Sequence, residues 1–144
     1  MLFASVLDLH SKKIVGYKFD RQMTVKLVME ALENAIQNQC PQKGLIFHTD
    51  LGTQYTSEAF QKYLKQHGLI QSFSRKGCPY DNACIESYHA TLKKEEVYRN
   101  RYLDFETAKV ALFTYIENWY NRKRIHGAIN YLTPDEVETL CRAA

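Results

Sequence analysis

The chain has 144 residues, 45% of them hydrophobic and 24% charged, with a formal net charge of +3. That is an ordinary globular mix, long enough for one domain with a real core. A pI of about 8.6 permits a polyanionic partner without demanding one. No apolar run approaches the roughly 18 residues of a membrane span, and the N-terminus lacks the pattern of a secretory signal. Aromatic residues reach 12%, including ten tyrosines, many beside Lys or Arg. The four cysteines, Cys40, Cys78, Cys84 and Cys141, form no CxxC pair. They read as reduced thiols of a soluble, cytoplasmic protein.

Met1 opens almost directly into LFASVL (Leu2 to Leu7), a strand rich in branched and aromatic residues. A polar, hairpin-length loop at His10 to Lys13 leads to a second strand, Ile14 to Phe19. From Thr24 the period changes: Val25, Val28, Met29, Leu32, Ala35 and Ile36 fall at helical spacing until Cys40-Pro41 ends the run. Leu45 to Thr49 reads as a short buried strand with Asp50 at its C-terminal end and Gly52 breaking the chain beyond it. Ser57 then caps a helix that carries Glu58 in its first turn and exits at Gly68. Leu69 to Phe73 is another short strand.

Ser74 to Tyr80 (SRKGCPY) has loop chemistry, punctuated by Gly77 and Pro79 and charged by Arg75 and Lys76. Asp81-Asn82 can cap a helix running to about Tyr98. A last long helix is expected over Phe105 to Tyr120, with Phe105, Ala108, Leu112, Tyr115, Ile116 and Trp119 on one face, Trp119 in the core. Thr133-Pro134-Asp135-Glu136 has the cap, the N1 proline and the reciprocal Glu of a helix start. The elements make an α/β chain, divided into a core over residues 1–125 and a C-terminal segment with a short capped helix over 126–144.

Two acids stand out. Asp50 either closes an Asx-type turn ahead of Gly52 or holds a metal ion. Glu86 lies one turn into its helix, sharing a face with Ala90, Lys93 and Val97, while the adjoining Ile85 to Leu92 line is apolar. It either favours the helix N-terminus electrostatically or serves as a ligand. Hard divalent cations prefer carboxylate oxygen, and two such ions about 4 Å apart activate an attacking oxygen and stabilise a leaving one. His48, on the face of Asp50, reads as a satisfied half-buried imidazole, and Gln54 and Tyr55 either touch nucleic acid or pack.

FHTDLGTQYTS, GCPYDNACIES and NWYNRKRIHGAINYLTPDE, in that order, resemble the catalytic core of bacterial insertion-sequence transposases of the DDE type. These belong to the retroviral-integrase superfamily. The interval from Asp50 to Glu86 holds 35 residues, as in that group, and LDLHSKKIVGY resembles its second and third strands. The resemblance implies an RNase H-like mixed sheet flanked by helices, lacking its first strand. It implies that Asp50 and Glu86 are the second and third catalytic acids and ligands of a two-ion Mg²⁺ or Mn²⁺ site. The first Asp of the family falls upstream of LFASVLDL, so the chain is expected to be a truncated core with little strand transfer alone. Whether it is an enzyme as it stands turns on that residue, for which Asp8 is not expected to substitute.

The implied activity is metal-dependent DNA cleavage and strand transfer in transposition and integration of an insertion sequence. The partners are DNA (transposon ends and target) and further copies in a dimer or higher assembly, nucleoid-associated in a bacterium. Arg75 and Lys76 in the loop, Lys93 and Lys94 beyond Glu86, and Arg122, Lys123 and Arg124 in the densest basic cluster are the expected DNA contacts. Tyr120, Asn121 and His126, interleaved with that cluster, suit a DNA or assembly role. The rival reading is an inactive core that binds DNA or dimerises, and inhibits an intact transposase through mixed assemblies.

Overall fold

The computed structural model describes residues 2–143, so the expectation that Met1 leads directly into a strand falls on a residue outside them. Two strands, β1 (Leu2–Leu7) and β2 (Ile14–Asp20), pair with each other, and the connection between them is too short for a parallel crossover. They are followed by α1 (Val25–Gln39), β3 (Ile46–Thr49), α2 (Thr53–Thr56), α3 (Glu58–Gln66) and β4 (Ile70–Phe73). A 3₁₀ turn at Pro79–Asn82 leads into α4 (Ala83–Glu95), and a second one at Val97–Arg99 comes after it. The chain closes with α5 (Phe105–Thr114), π-helical turns over Tyr115–Tyr120, a 3₁₀ turn at Gly127–Ile129 and α6 (Pro134–Ala143).

The chain clusters into two compact units. The first runs to Val6 and resumes over Val15–Ser87, and the second combines Leu7–Ile14 with the chain from Tyr88 onward. In the first unit α1 begins where Thr24 Oγ1 accepts the Leu27 N–H at 3.1 Å. It ends at Cys40, in a left-handed conformation with φ 46°. Its apolar face, Leu27, Val28, Ala31 and Leu32, packs with Ala4, Phe60, Leu64 and Leu69 into one core. Burying a side chain such as Phe60 contributes about 1.5–3 kcal/mol.

Gly16 lets β2 approach α1 closely, because a Cβ there would meet the Ala31 carbonyl and stand 2.6 Å from the Ala35 nitrogen. The Asn34 and Asn38 amides donate to the Tyr17 and Val15 carbonyls, each at 3.0 Å, tying α1 to the β2 backbone.

β3 and β4 run parallel with Ile46 opposite Ile70 and His48 opposite Ser72. Among the described residues the strands form two two-stranded sheets, one of β1 with β2 and one of β3 with β4, rather than the one mixed sheet the motifs imply. The apolar run of β3 predicts a buried strand, yet Leu45 and Ile46 are 52% and 65% exposed. Only the Phe47 and Thr49 side of the strand turns toward α3, so a run that is apolar in sequence is covered on one face.

In the second unit Tyr88, Leu92, Leu112, Ile116 and Tyr120 are buried, and the Tyr88 and Tyr120 rings meet edge to face at 5.0 Å. Trp119, expected in this core, is 45% exposed. The cause is the π turn: the Asn121 N–H reaches back five residues to the Ile116 carbonyl at 3.0 Å. One extra residue enters the turn after Tyr115, so Tyr120 occupies the inward position that α-helical spacing assigns to Trp119. Asn121 is buried as well and grips Ile14 with both ends of its amide, at 2.9 and 3.0 Å. Thr133 Oγ1 accepts the Glu136 N–H at 3.2 Å, the expected cap of α6, while the Glu136 carboxylate accepts the Thr133 hydroxyl at 3.0 Å, a side-chain version of the reciprocal bond of a capping box. Among the described residues Cys40, Cys78, Cys84 and Cys141 form no disulfide.

Candidate metal centre and nucleic-acid interface

Asp50 stands just past the C-terminal end of β3 and is exposed. Its Oδ1 accepts the Gly52 N–H at 2.7 Å, the Asx geometry expected of Asp before a turn. Gly52 is needed for that approach, since a Cβ there would lie 2.8 Å from Asp50 Oδ1. Beyond Gly52 the chain forms a short helix, α2, where the sequence suggested a plain break: the Tyr55 and Thr56 N–H groups return to the Gly52 carbonyl. Tyr55 is held up in pKa, first by burial and then by the Asp50 charge, and its ring packs edge-on to Phe60 at 5.5 Å. Tyr55 therefore packs.

His48 is satisfied within the sheet. Its ring nitrogens meet Ser72 Oγ at 3.0 Å and Ser74 Oγ at 2.9 Å. It props the β3 and β4 ends together two residues before Asp50.

Glu86 lies in the first turn of α4 and is exposed. No hydrogen bond or ion pair engages its carboxylate among the described residues, and Asp50 Oδ2 is likewise unengaged. Two exposed carboxylates with oxygens to offer suit a hard divalent cation. Among the described residues no three His, Cys, Asp or Glu side chains gather as a metal-binding group. Asp8, in the second unit, turns its carboxylate to the His10 N–H and the Ser11 hydroxyl of its own turn.

The expected DNA contacts divide into engaged and unengaged cations. Arg75 binds Asp81 three times: its backbone N–H and Nε reach Oδ2 at 2.8 and 3.0 Å, and Nη2 reaches Oδ1 at 3.1 Å. These bonds from Arg75 hold the Asp81 carboxyl down at about 2. Asp81, expected as a helix cap, instead braces the loop in front of α4. Arg124 pairs with Glu95 at 2.8 Å, and Arg122 approaches Asp135 at 3.9 Å. Lys76, Lys93, Lys94 and Lys123 are exposed and form no ion pair among the described residues. Lys93 stands seven residues past Glu86 on α4, close to the same azimuth.

Glu95 carries no motif in the sequence, yet three side chains converge on its carboxylate. Tyr115 Oη donates to it at 2.6 Å, Trp119 Nε1 at 3.2 Å and Arg124 Nε at 2.8 Å. Burial pushes its pKa up, but these three donors outweigh that and hold it below the usual value. Burial beside this carboxylate drives the Tyr115 hydroxyl pKa far up, and burial raises Tyr120 to about 12. Tyr120 and Asn121 are 3% and 2% exposed, so the Tyr120 ring has no face for stacking on a base.

Comparison with known proteins agrees with this architecture. Residues 1–79 match the family model described as the integrase core domain, and residues 67–134 match a second model of the same description. The chain belongs to the integrase core domain family, in its branch of DDE-type insertion-sequence transposase catalytic cores. It is 43% identical over 132 residues to the transposase for insertion sequence element IS904 of Lactococcus lactis, covering 92% of this chain and 52% of that protein. Against transposase InsF for insertion sequence IS3A of Escherichia coli K12 the identity is 38% over 138 residues, covering 96% and 48%. The chain thus spans about half the length of these curated relatives.

Solved structures share the fold. A chain of the simian T-cell lymphotropic virus intasome superposes with a TM-score of 0.75 at 19% identity, covering 94% of this chain and 47% of that one. The catalytic core domain of BIV integrase gives 0.71 at 19% identity, covering 98% and 87%. The HTLV-2 integrase catalytic core domain, a structure in complex with magnesium, gives 0.64 at 18% identity, covering 91% and 80%. The fold class is that of the retroviral integrase core, α/β and RNase H-like. No helix of the described residues is long and apolar enough to cross a membrane.

Proposed function

We propose that this chain supplies two carboxylates, Asp50 and Glu86, to the divalent-metal site of an insertion-sequence transposase that cleaves DNA and transfers strands. The observation that carries the reading is the pair itself. One acid sits at the end of a strand and the other in the first turn of a helix, both exposed and with unengaged oxygens, in a chain of the integrase core family. Mg²⁺ or Mn²⁺, when bound, supplies activation of the attacking oxygen and stabilisation of the leaving one. The chain's own residues do the rest. Gly52 fixes the Asp50 carboxylate through its N–H, His48 holds the ends of β3 and β4 together, and the Arg75–Asp81 brace orders the loop leading into α4. Lys76, Lys93, Lys94 and Lys123 carry charge to phosphates without a competing carboxylate. Arg75, Arg122 and Arg124 stay in the proposed contact surface only through donors left over from their ion pairs.

The domain reading becomes part of the same proposal: residues 1–125 carry the chemistry, and residues 126–144 with α6 form an appended segment. Partners come from the family in the same way, namely transposon-end and target DNA and further copies of the chain, acting in the bacterial cytoplasm at the nucleoid. Nothing in the geometry favours the rival of an inactive inhibitory module. The test is Mn²⁺ or Mg²⁺ titration of the chain followed by backbone NMR. Resonances around Asp50 and Glu86 shift or broaden, and Asp50→Asn or Glu86→Gln abolishes the effect. Perturbation confined to other residues, or none up to several millimolar ion, overturns the reading.

A further inference from the structure

The stretch KKEEVYRNRYLD, residues 93 to 104, is nearly balanced in charge as written, and the sequence drew attention only to its first two lysines. The structure sorts those charges. All three acids are engaged from within the second unit. Glu95 is taken by Tyr115, Trp119 and Arg124, Glu96 accepts the Tyr102 hydroxyl at 3.1 Å, and Asp104 caps α5 by accepting the Thr107 N–H at 2.8 Å. All four cations, Lys93, Lys94, Arg99 and Arg101, are exposed, and none is paired with a carboxylate among the described residues. Arg99 holds only the Lys94 carbonyl, through Nε at 3.2 Å, which bends it back over the end of α4 and leaves its other donors outward. Between them Tyr98 is 73% exposed, a large ring with no aromatic or polar partner among the described residues.

A run of mixed charge is usually a solvated face whose charges cancel. Here only Glu95 is neutralised by a cation, Arg124, while Glu96 and Asp104 keep their charge but direct oxygens to neutral donors of the same unit. Four unpaired cations against those two acids leave the segment net positive, with an exposed aromatic ring among the cations. Guanidinium groups suit phosphate oxygens, and an exposed ring suits the face of an unpaired base. The 3₁₀ turn at Val97–Arg99 and the Asn100 amide, which donates to the Glu96 carbonyl at 2.9 Å, hold the segment in one conformation.

We infer that the connection from α4 to α5 is a DNA-contacting surface, with Arg99 and Arg101 on phosphates and Tyr98 stacking on an unpaired base at the end of a duplex. This rests on the reading that the protein acts on DNA.

Fluorescence anisotropy of the chain with two probes, a blunt duplex and the same duplex with a short single-stranded overhang, over a series of salt concentrations tests it. Arg99→Ala with Arg101→Ala lowers the slope of log affinity against log salt by about 1.8, two phosphate contacts at roughly 0.9 each. The double Lys variant restores most of that slope. Tyr98→Ala weakens binding of the overhang probe about tenfold and leaves the blunt duplex nearly unchanged. All of these side chains are exposed, so the variants keep the wild-type thermal midpoint. If Lys93→Ala lowers the slope while the double Ala variant does not, this surface is wrong and the DNA reading stands. If the unmodified chain binds neither probe, both fall.

Discussion

Arg124 sets its Nε 2.8 Å from Oε1 and 3.1 Å from Oε2 of Glu95, and each side chain is about one quarter exposed, at 25% and 29%. The pair joins the last turn of α4 to the segment just after the π turn, and Tyr115 and Trp119 complete the shell around the same carboxylate. A carboxylate that receives this many donors organises the second unit and frees its neighbours to face outward.

Removing that carboxylate leaves a guanidinium, a buried hydroxyl and an indole N–H without their acceptor. Glu95→Ala is expected to lower unfolding free energy by about 1–3 kcal/mol, the cost of stranding partly buried polar groups. Urea denaturation measures it, and a loss under half a kcal/mol, well below that roughly 1–3 kcal/mol range, would show the cluster to be ornamental.

The same carboxylate makes stability depend on acid. Its folded-state pKa is depressed, so the unfolded chain takes up the proton first as pH falls through the ordinary value of 4.5. The stabilisation is therefore complete above that pH and is lost below it as the folded pKa is reached. Glu95→Gln flattens this part of the urea-midpoint profile. An unchanged acid limb in the variant would contradict the assignment.

His126 titrates with the opposite charge type. Burial, then the neighbouring Arg124, lowers its pKa from 6.5, and Glu95 only partly offsets them. The Arg124 guanidinium meets Nδ1 at 3.3 Å, which makes Nδ1 the acceptor and leaves the proton on Nε2. Stability is complete above about 6.5 and declines as pH falls below it, because the unfolded imidazole protonates first. Proton NMR of the His126 ring is expected to show a midpoint below 6.5 that rises in Arg124→Gln.

Two glycines separate stability from metal affinity. Gly16→Ala forces a Cβ against the α1 backbone at Ala31 and Ala35, neither of which can move aside, and overpacking of this kind costs about 1–3 kcal/mol. Gly52→Ala meets only the far ends of the Asp50 and Gln54 side chains. It is expected to leave the thermal midpoint within a degree or two, a shift matching only a few tenths of a kcal/mol. It also displaces the Asp50 carboxylate and so weakens the Mn²⁺ response. A large loss of stability from Gly52→Ala together with an intact metal response would reverse the argument.

Much of this molecule is written locally. Ser57 and Thr133 announce their helices because a cap is decided within four residues of chain, and the α1 face comes from spacing alone. The ordered motifs around Asp50, Glu86 and Asn121 identify the family for the same reason: each is contiguous. Features set by competition between distant groups were not legible. The π turn that ejects Trp119 and buries Tyr120 reflects packing against Tyr88 and the clamp of Asn121 on Ile14. The separate sheets depend on which strand edges meet, and α-helical periodicity contains no information on either.

The amino-acid sequence by itself determined the order of the longer strands and helices, the caps at Ser57 and Thr133, the family and the two candidate acids, because each depends on residues adjacent in the chain or spaced along one element. Only the tertiary structure decided which charges remain available. Arg75, Arg124 and Glu95 look alike in sequence to Lys76, Lys123 and Glu86, and differ because their partners were folded against them from six to twenty-nine residues away. An ion pair neutralises a charge only when the fold brings the two groups within a few ångströms.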